Sequence, residues 1–446
     1  MKEEEIQMRE KQGKPLHFLT QFGVSQPSHV GHKLRVVLNM KMRNCHAGLS
    51  PNDCMLRPPN SLVPLMSVLM WWRTSKHVAL VDISRAYKQV LTGEEEKFMR
   101  LCLWKEQDEG PWVVLGYTCM SFGDQAAAAG LELAKAEAAR LGRSIDPNTA
   151  SQIHNKMYVD DGPLAAESRS KLEAMRGTRN KEGLYDGLIS QVLGTVSMTP
   201  KFIAIPRSAT QEEVELLGGK VLGVGYDILE DQLNFSLDTA AQVKVPGGRG
   251  KKFLMRWGRP EVEEMRKGCG MLSLRMVLSW TMSQYDPLGL MSPFLLRAKL
   301  LLRRLQGTGR VSWDGDMDKE EKRRWGELLE EILEGKMVHF PRTVAPPEGA
   351  EASLVIFADG SLMAFCRAVY VVWRKKGPGE EVLADSDLLL AKCRLAPIRG
   401  TSVPRAELSG LLVAHRLALL VASTANFNIS SVSILSDSEC AIAITR

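Results

Sequence analysis

The run KMYVDDGPLA, Lys156 to Ala165, sets two adjacent aspartates inside an otherwise apolar stretch. Its pattern predicts strand, tight turn and strand, with Asp160 and Asp161 at the tip. Carboxylates placed where a buried sheet meets solvent are costly unless a cation compensates them. Aspartates in a turn are also ordinary turn chemistry, because the side chain accepts hydrogen bonds from the nearby backbone. A second run bears on the choice. HVALVD, His77 to Asp82, is a compact strand signal that again ends in a carboxylate, 78 positions before Asp160, and Tyr87 follows Asp82 five residues on in the helix-permissive SRAYKQVL. Strand-borne acids so far apart along the chain form a compound pattern that coincidence explains poorly.

At 446 residues the chain is long enough for roughly three folding units. Its 44% hydrophobic and 25% charged residues match a soluble globular protein and exclude disordered, collagen-like and fibrous classes. The start, MKEEEIQMREKQGK, is charged, and no uninterrupted apolar run reaches the roughly 18 residues of a membrane span, so neither a signal peptide nor a transmembrane helix is expected. Eight cysteines are scattered without zinc-ligand spacing and read as reduced thiols. The net charge of +6 is uneven: Lys244 to Arg310 carries fourteen Lys and Arg against four Asp and Glu, so the rest of the chain is net acidic. That excess fits either a phosphate-tracking surface or a solvated helical face.

Residues 1–30 read as a polar lead-in without periodicity. LRVVLNM is a short β-branched run, PLMSVLMWW a buried helix, and DQAAAAGLELAKAEAARLG an Ala-rich helix that stops at Gly142, with Asp124 as a candidate N-cap. Val221 to Leu237 gives two strand-like runs around an acidic turn. KVPGGRGKK and VAPPEGAEA are linker candidates, with helical patterns between them at 261–305 and 318–335. SLVIFADGS and CRAVYVVWR follow as strands, then a helix from about Pro404 and a last strand, SVSILSD.

The Tyr158-Val159-Asp160-Asp161 hairpin with Asp82 on a neighbouring strand resembles the palm of reverse transcriptases. The resemblance implies two magnesium ions per active site, held mainly by Asp82 and Asp160 with Asp161 in support; hard oxygen ligands suit such ions. Tyr87 matches the family's steric gate against a 2′-hydroxyl, with an ordinary core tyrosine as the alternative. Lys33 and Arg35 match the basic positions that hold the triphosphate, Arg35 more closely. Phe122-Gly123 resembles the loop beneath the templating base and nucleotide, where glycine permits close backbone approach; Ser121 stands where the family has proline.

Wider matches resemble BEL/Pao long-terminal-repeat retrotransposons: SQYDPLGLMSPFLLRAKLLLRRL, then SWDGDMD and KRRWGELLEEI, with Leu222 to Val224 similar to the primer grip. A second acidic set follows. Asp359 and Asp437 end strands, and Glu407 shares a helical arc with Leu411, Ala414, Ala418 and Val421. Acids on strand, helix and strand resemble an RNase H domain, implying two magnesium ions bound by Asp359, Glu407 and Asp437 and cleavage of RNA in an RNA/DNA hybrid. The chain stops at Arg446, nine residues past Asp437, so a truncated RNase H module of weak or no nuclease activity is expected.

The expectation is thus an α+β chain. A polymerase right hand comes first, with fingers and palm over 31–240 after the lead-in 1–30 and thumb and connection over 241–343. A C-terminally truncated RNase H-like α/β domain over 353–446 completes it. It would be an RNA-directed DNA polymerase using an RNA template, a DNA primer, deoxynucleotides and an RNA/DNA hybrid, with no membrane partner. The cytoplasm is its default location, the nucleus or virus-like particles the alternatives. A catalytically dead relic that binds nucleic acid and an RNA-dependent RNA polymerase remain as rival readings.

Overall fold

The central strand of the first sheet is apolar on both faces because both are covered. In this computed structural model β3 (His77–Ile83) runs between β4 (Asp161–Ala166) and β5 (Pro200–Ala204), antiparallel to each, with Val78 to Val81 buried. The structure describes residues 3–28, 31–43, 48–56, 58–107, 109–244, 252–308, 312–335, 337–376, 382–397 and 401–445. Two compact units emerge, residues 1–68 with 77–222, and residues 69–76 with 223–446. With helices and mostly antiparallel sheets in both, the chain is α+β.

In the first unit, α1 (Ala127–Gly142) and α2 (Pro147–Asn155) close over the sheet, and Leu131 and Ile153 join Ala79, Val81, Ile83 and Leu164 in one buried cluster. Asp146 starts α2 by accepting from the Thr149 N–H at 3.0 Å, with Pro147 in the first turn. β1 (Gln21–Ser28) and β2 (Gly31–Leu38) form a hairpin.

Four expectations are corrected here. The lead-in is ordered over much of its length: Glu3–Lys11 is helical, the His17 N–H donates to the Phe98 carbonyl at 2.9 Å and Leu19 N–H to Leu101 at 2.7 Å. Its partners lie far along the chain, so no local periodicity announces them. SRAYKQVL makes a single 3₁₀ turn, Ala86–Gln89, because Gln89 bonds to the Ser84 carbonyl and accepts from Thr199 N–H at 2.8 Å. Asp124 is not the cap of α1, which begins at Ala127; its carboxylate accepts from Ser121 N–H at 2.8 Å and from buried Arg100 at 3.3 Å. The leading arm of the acidic hairpin shrinks to one bridge, Tyr158 to Asp161, around Val159 at φ 57°.

In the second unit, β6 (Val224–Asp227) and β7 (Gln232–Phe235) form the hairpin expected around the acidic turn, and β7 also pairs with β8 (Val338–Pro341). That distant pairing draws residues 223–240 into this compact unit. The ring of Trp325, on α5 (Lys319–Glu334), meets Trp257 and Trp280 edge-on at 5.6 and 5.2 Å, Trp280 lying on α3 (Leu274–Ser283). Buried Arg342 pairs with Asp231 at 2.8 Å and donates to the Trp72 carbonyl at 2.7 Å, anchoring residues 69–76. The linker KVPGGRGKK lies almost wholly outside the described residues.

A four-stranded sheet completes this unit in the order β11 (Val382–Leu395), β10 (Ala364–Lys376), β9 (Glu351–Gly360), β12 (Ser431–Leu435); β12 is parallel to β9 and the other pairs are antiparallel. The strand β11 is new relative to the sequence reading. Between β11 and β12 comes α6 (Val403–Thr424), which packs on β9 and β10. It is long and apolar enough to cross a membrane by length and composition. Ala406, Gly410, Ala414, Leu417, Ala418 and Val421 are nevertheless buried along one face, as in a core helix.

Candidate active site

The antiparallel register sets Asp82 directly opposite Asp161, so these two acids share a face at one end of the sheet. Asp160 sits at the turn, its carbonyl accepting from Ile83 N–H at 2.9 Å. Burial, then the Asp82 charge, raises the Asp160 carboxyl above its ordinary range. Burial followed by Asp160 and Asp82 raises Asp161 to about 7. Three carboxylates thus converge where water is scarce, on a turn whose tip is a β-branched residue in the left-handed region. Backbone strain of that kind concentrates at functional sites.

Beside them stand the other residues singled out from sequence. The Tyr87 ring meets Phe122 edge-on at 5.4 Å, and the Arg35 guanidinium lies 5.2 Å from the Phe122 centroid. Tyr87 and Arg35 both lie close enough to feel the Asp160 charge: Asp160 helps burial raise the Tyr87 hydroxyl, while Arg35 opposes the rise at Asp160. Phe122 accepts from Leu38 N–H at 3.2 Å, bringing the loop onto β2. Gly123, at φ +109°, is pressed so closely on the Leu38 carbonyl that any Cβ would collide with it. Tyr158, half-buried, bridges to Asp161 through its N–H at 2.8 Å. Lys33 is carried by the same strand as Arg35, opposite Gln26, but its side chain falls outside the described residues.

Two cations here escaped the sequence reading. Lys201, on β5, places its ammonium 3.0 Å from the Asp82 carboxylate. Lys135, fully buried on α1, pairs with Glu132 at 2.8 Å, donates to the Met157 carbonyl at 3.0 Å, and lies within the field of Asp160 and Asp161. Neither is signalled locally; a lysine in an Ala-rich helix reads as solvated.

The second acidic set is built differently. Phe357 on β9 pairs with Leu435 on β12 in parallel register; two residues beyond that pair stand Asp359, still in β9 opposite Cys366 of β10, and Asp437, just past the end of β12, both exposed. Both line a groove of about 620 Å³. Gly360 lets α6 pass against the strand end, where an added Cβ would lie 2.7 Å from the Glu407 Cα. Glu407 accepts a hydrogen bond from the Ser438 hydroxyl. Among the described residues no group of three or more His, Cys, Asp or Glu is drawn together tightly enough to cage an ion by itself.

Residues 273–438 match the family model of the Pao retrotransposon-like RNaseH-like domain. The chain is similar to the reverse transcriptase/RNase H region of a Pao-type retrotransposon. Among solved structures it resembles a foamy viral protease-reverse transcriptase in complex with double-stranded DNA, at 13% identity and a TM-score of 0.52 over 100% of this chain. At that identity the likeness concerns the fold. The chain spans 64% of the length of that relative. A foamy viral protease-reverse transcriptase with an RNA/DNA hybrid aligns at 12% identity and TM-score 0.46, over 97% of this chain and 47% of the relative. No curated protein matches the chain by sequence. The Pao match lies wholly in the second unit, and the whole-chain fold likeness extends over the acidic sheet of the first.

Proposed function

We propose that the chain is an RNA-directed DNA polymerase of Pao-retrotransposon type, laid out as a right hand with an RNase H-like domain after it. Residues 31–240 would supply fingers and palm, 241–343 thumb and connection, and 353–446 the RNase H-like part. The observation that carries the reading is the convergence of Asp82, Asp160 and Asp161, from separated segments, beside Tyr87, Phe122 and Arg35. An oxygen-only donor set in which burial and mutual repulsion raise two carboxyls is one that magnesium suits. Asp82 and Asp160 would be the main ligands, with Asp161 beside them. When bound, two such ions lower the cost of ionising a primer 3′-hydroxyl and of charge building on a triphosphate.

This chain's own residues would do the rest. Tyr87, backed by Phe122, offers a flat wall against a 2′-hydroxyl. Arg35 presents its planar fork to phosphate oxygens. Gly123 exposes backbone at the position of closest approach. RNA template, DNA primer and deoxynucleotides are the implied partners. Asp359, Glu407 and Asp437 would hold magnesium for cleaving an RNA/DNA hybrid.

Primer extension on an RNA template, comparing the protein with Asp160→Asn, tests the assignment; equal incorporation by both sinks it. The Tyr87→Ala variant should incorporate ribonucleotides and deoxynucleotides with similar efficiency, and unchanged discrimination would remove Tyr87 from the gate. A second reading, a relic that binds nucleic acid without catalysis, is favoured by the Lys201 ammonium on Asp82, which occupies one prospective ligand oxygen. It predicts hybrid binding without extension.

A further inference from the structure

Four cations crowd a cavity of about 320 Å³ in the second unit, and no role discussed above uses them. Lys299 enters from α4 (Ser292–Thr308), Arg367 from β10, and Lys392 and Arg394 from β11. Arg367 and Lys392 are direct partners in the strand register, and Arg394 sits two residues on from Lys392, on the same face. Like charges set opposite each other across a strand pair are destabilising unless something neutralises them. One carboxylate, Asp286, lines the cavity among the described residues, and it is engaged by the N–H groups of Leu290 and Met291 at 3.0 and 2.8 Å. The Lys392 ammonium reaches the Pro287 carbonyl at 3.1 Å.

Arg367 is the deciding residue. Its side chain is held by the Phe365 ring at 5.2 Å and by one bond from Nη1 to the Lys392 carbonyl at 3.2 Å. The residue is 2% exposed, yet Nε and Nη2 have no hydrogen-bond partner among the described residues. Those two N–H groups form one edge of the guanidinium fork, the edge that takes two oxygens of one oxyanion at once. A buried charged donor left without an acceptor is costly, and natural proteins rarely leave one without a reason. Burial, then Arg394, lowers Arg367; burial also lowers Lys392, where the Asp286 charge opposes the fall and Arg394, Lys299 and Arg367 add to it.

We propose that Arg367, Lys299, Lys392 and Arg394 form a phosphate-binding pocket, with the Arg367 Nε–Nη2 edge as its bidentate anchor. Arg367 also borders the groove that holds Asp359 and Asp437, so a phosphate seated here lies next to the second acidic set. Its source is either a free phosphate or a phosphate in a nucleic-acid strand, and one experiment with two arms separates them.

In the first arm, inorganic phosphate is titrated calorimetrically into the full chain at fixed ionic strength. Saturable binding is expected, weakened about tenfold or more in Arg367→Met and in the double variant Lys299→Gln/Arg394→Gln, as removal of a charge-assisted hydrogen bond implies. In the second arm, binding of an RNA/DNA hybrid oligonucleotide is followed across salt concentration. If the pocket takes a strand phosphate, the variants lower the slope of log affinity against log salt by about one for each phosphate no longer neutralised. An unchanged slope with inorganic phosphate binding abolished assigns the pocket to free phosphate. If no variant alters either arm, the proposal fails. The hybrid arm rests on the polymerase and RNase H reading and the phosphate arm does not, so failure of that reading leaves the first arm decisive. Should Arg367→Met not fold by circular dichroism, the double variant at less buried positions carries the test.

Discussion

The two acidic sets use similar parts, strand-borne aspartates at the end of a sheet, and hold them in opposite ways. In the first unit Asp160 and Asp161 are desolvated and crowd each other and Asp82, with Lys135 in their field and Lys201 paired with Asp82. In the second, Asp359 and Asp437 stand exposed, and Glu407 is tethered by Ser438. Preorganisation is the difference: groups held in a dry, charged setting act on a reacting atom without reorganising, whereas solvated groups must be gathered first. The first set is therefore held in place at a cost in stability, as the proposed polymerase reading requires, and the second depends on what a ligand brings with it.

The largest effect should follow directly. Asp160→Asn is expected to lower primer extension by roughly 10²–10⁴-fold, the several kcal/mol that a metal clamp contributes. Asp359→Asn should leave extension unchanged. A steady-state assay of both variants on one RNA template breaks the comparison if Asp359→Asn is as harmful as Asp160→Asn.

What the sequence made legible follows the same line. His77–Ile83 and Glu351–Gly360 were readable because their apolar runs are short, β-branched and buried, and the acids ending them stand out for that reason. The helix Val403–Thr424 was readable from its apolar arc, with Glu407 at the rim of the buried face. Gln21–Ser28 and Val382–Leu395 were not, because polar and charged residues break up both strands and their order comes from pairing with a neighbour. Lys135, Lys201 and Arg367 were invisible for a related reason. A cation's burial is decided by elements distant in sequence, and nothing in KAEAAR, PKFIA or FCRAVY announces it.

The tether on Glu407 gives the next test. Ser438→Ala removes a hydrogen bond to a charged group, an interaction of about 1.5–3 kcal/mol when well formed, reduced here because Glu407 is only half-buried. A fall in melting temperature would mean that the tether is what organises the second set. An unchanged melting curve would mean that Glu407 is as loosely held as Asp359 and Asp437.

Neutralising a carboxylate should stabilise the first site and do nothing at the second. In metal-free buffer Asp160→Asn is expected to raise stability by about 0.5–2 kcal/mol, relieving desolvation and repulsion while activity falls. Asp359→Asn, at an exposed position, should stay within about 0.5 kcal/mol of the parent. Differential scanning calorimetry on the two variants measures both. A destabilised Asp160→Asn would show that the Lys135 and Arg35 charges, rather than repulsion among the acids, dominate there.

The smallest effect concerns Asp286, an acid of the second unit whose carboxyl is raised chiefly by burial, as at the first site. Burial raises the Asp286 carboxyl, although the Leu290 and Met291 N–H groups pull it back. A folded-state pKa above the unfolded value of about 4 means that the folded chain holds this proton more tightly. The stability Asp286 contributes is then fully present below about pH 4 and is lost as pH rises through its folded pKa. Asp286→Asn keeps an oxygen that can accept from the same N–H groups and removes the titration, so melting temperature should decline less steeply over that acid range than in the parent. A phosphate bound to the neighbouring cations would make the carboxylate harder still to ionise. Repeating the pH series in inorganic phosphate should therefore steepen the decline for the parent and leave Asp286→Asn unmoved, whereas equal slopes with and without phosphate would separate Asp286 from the cation pocket.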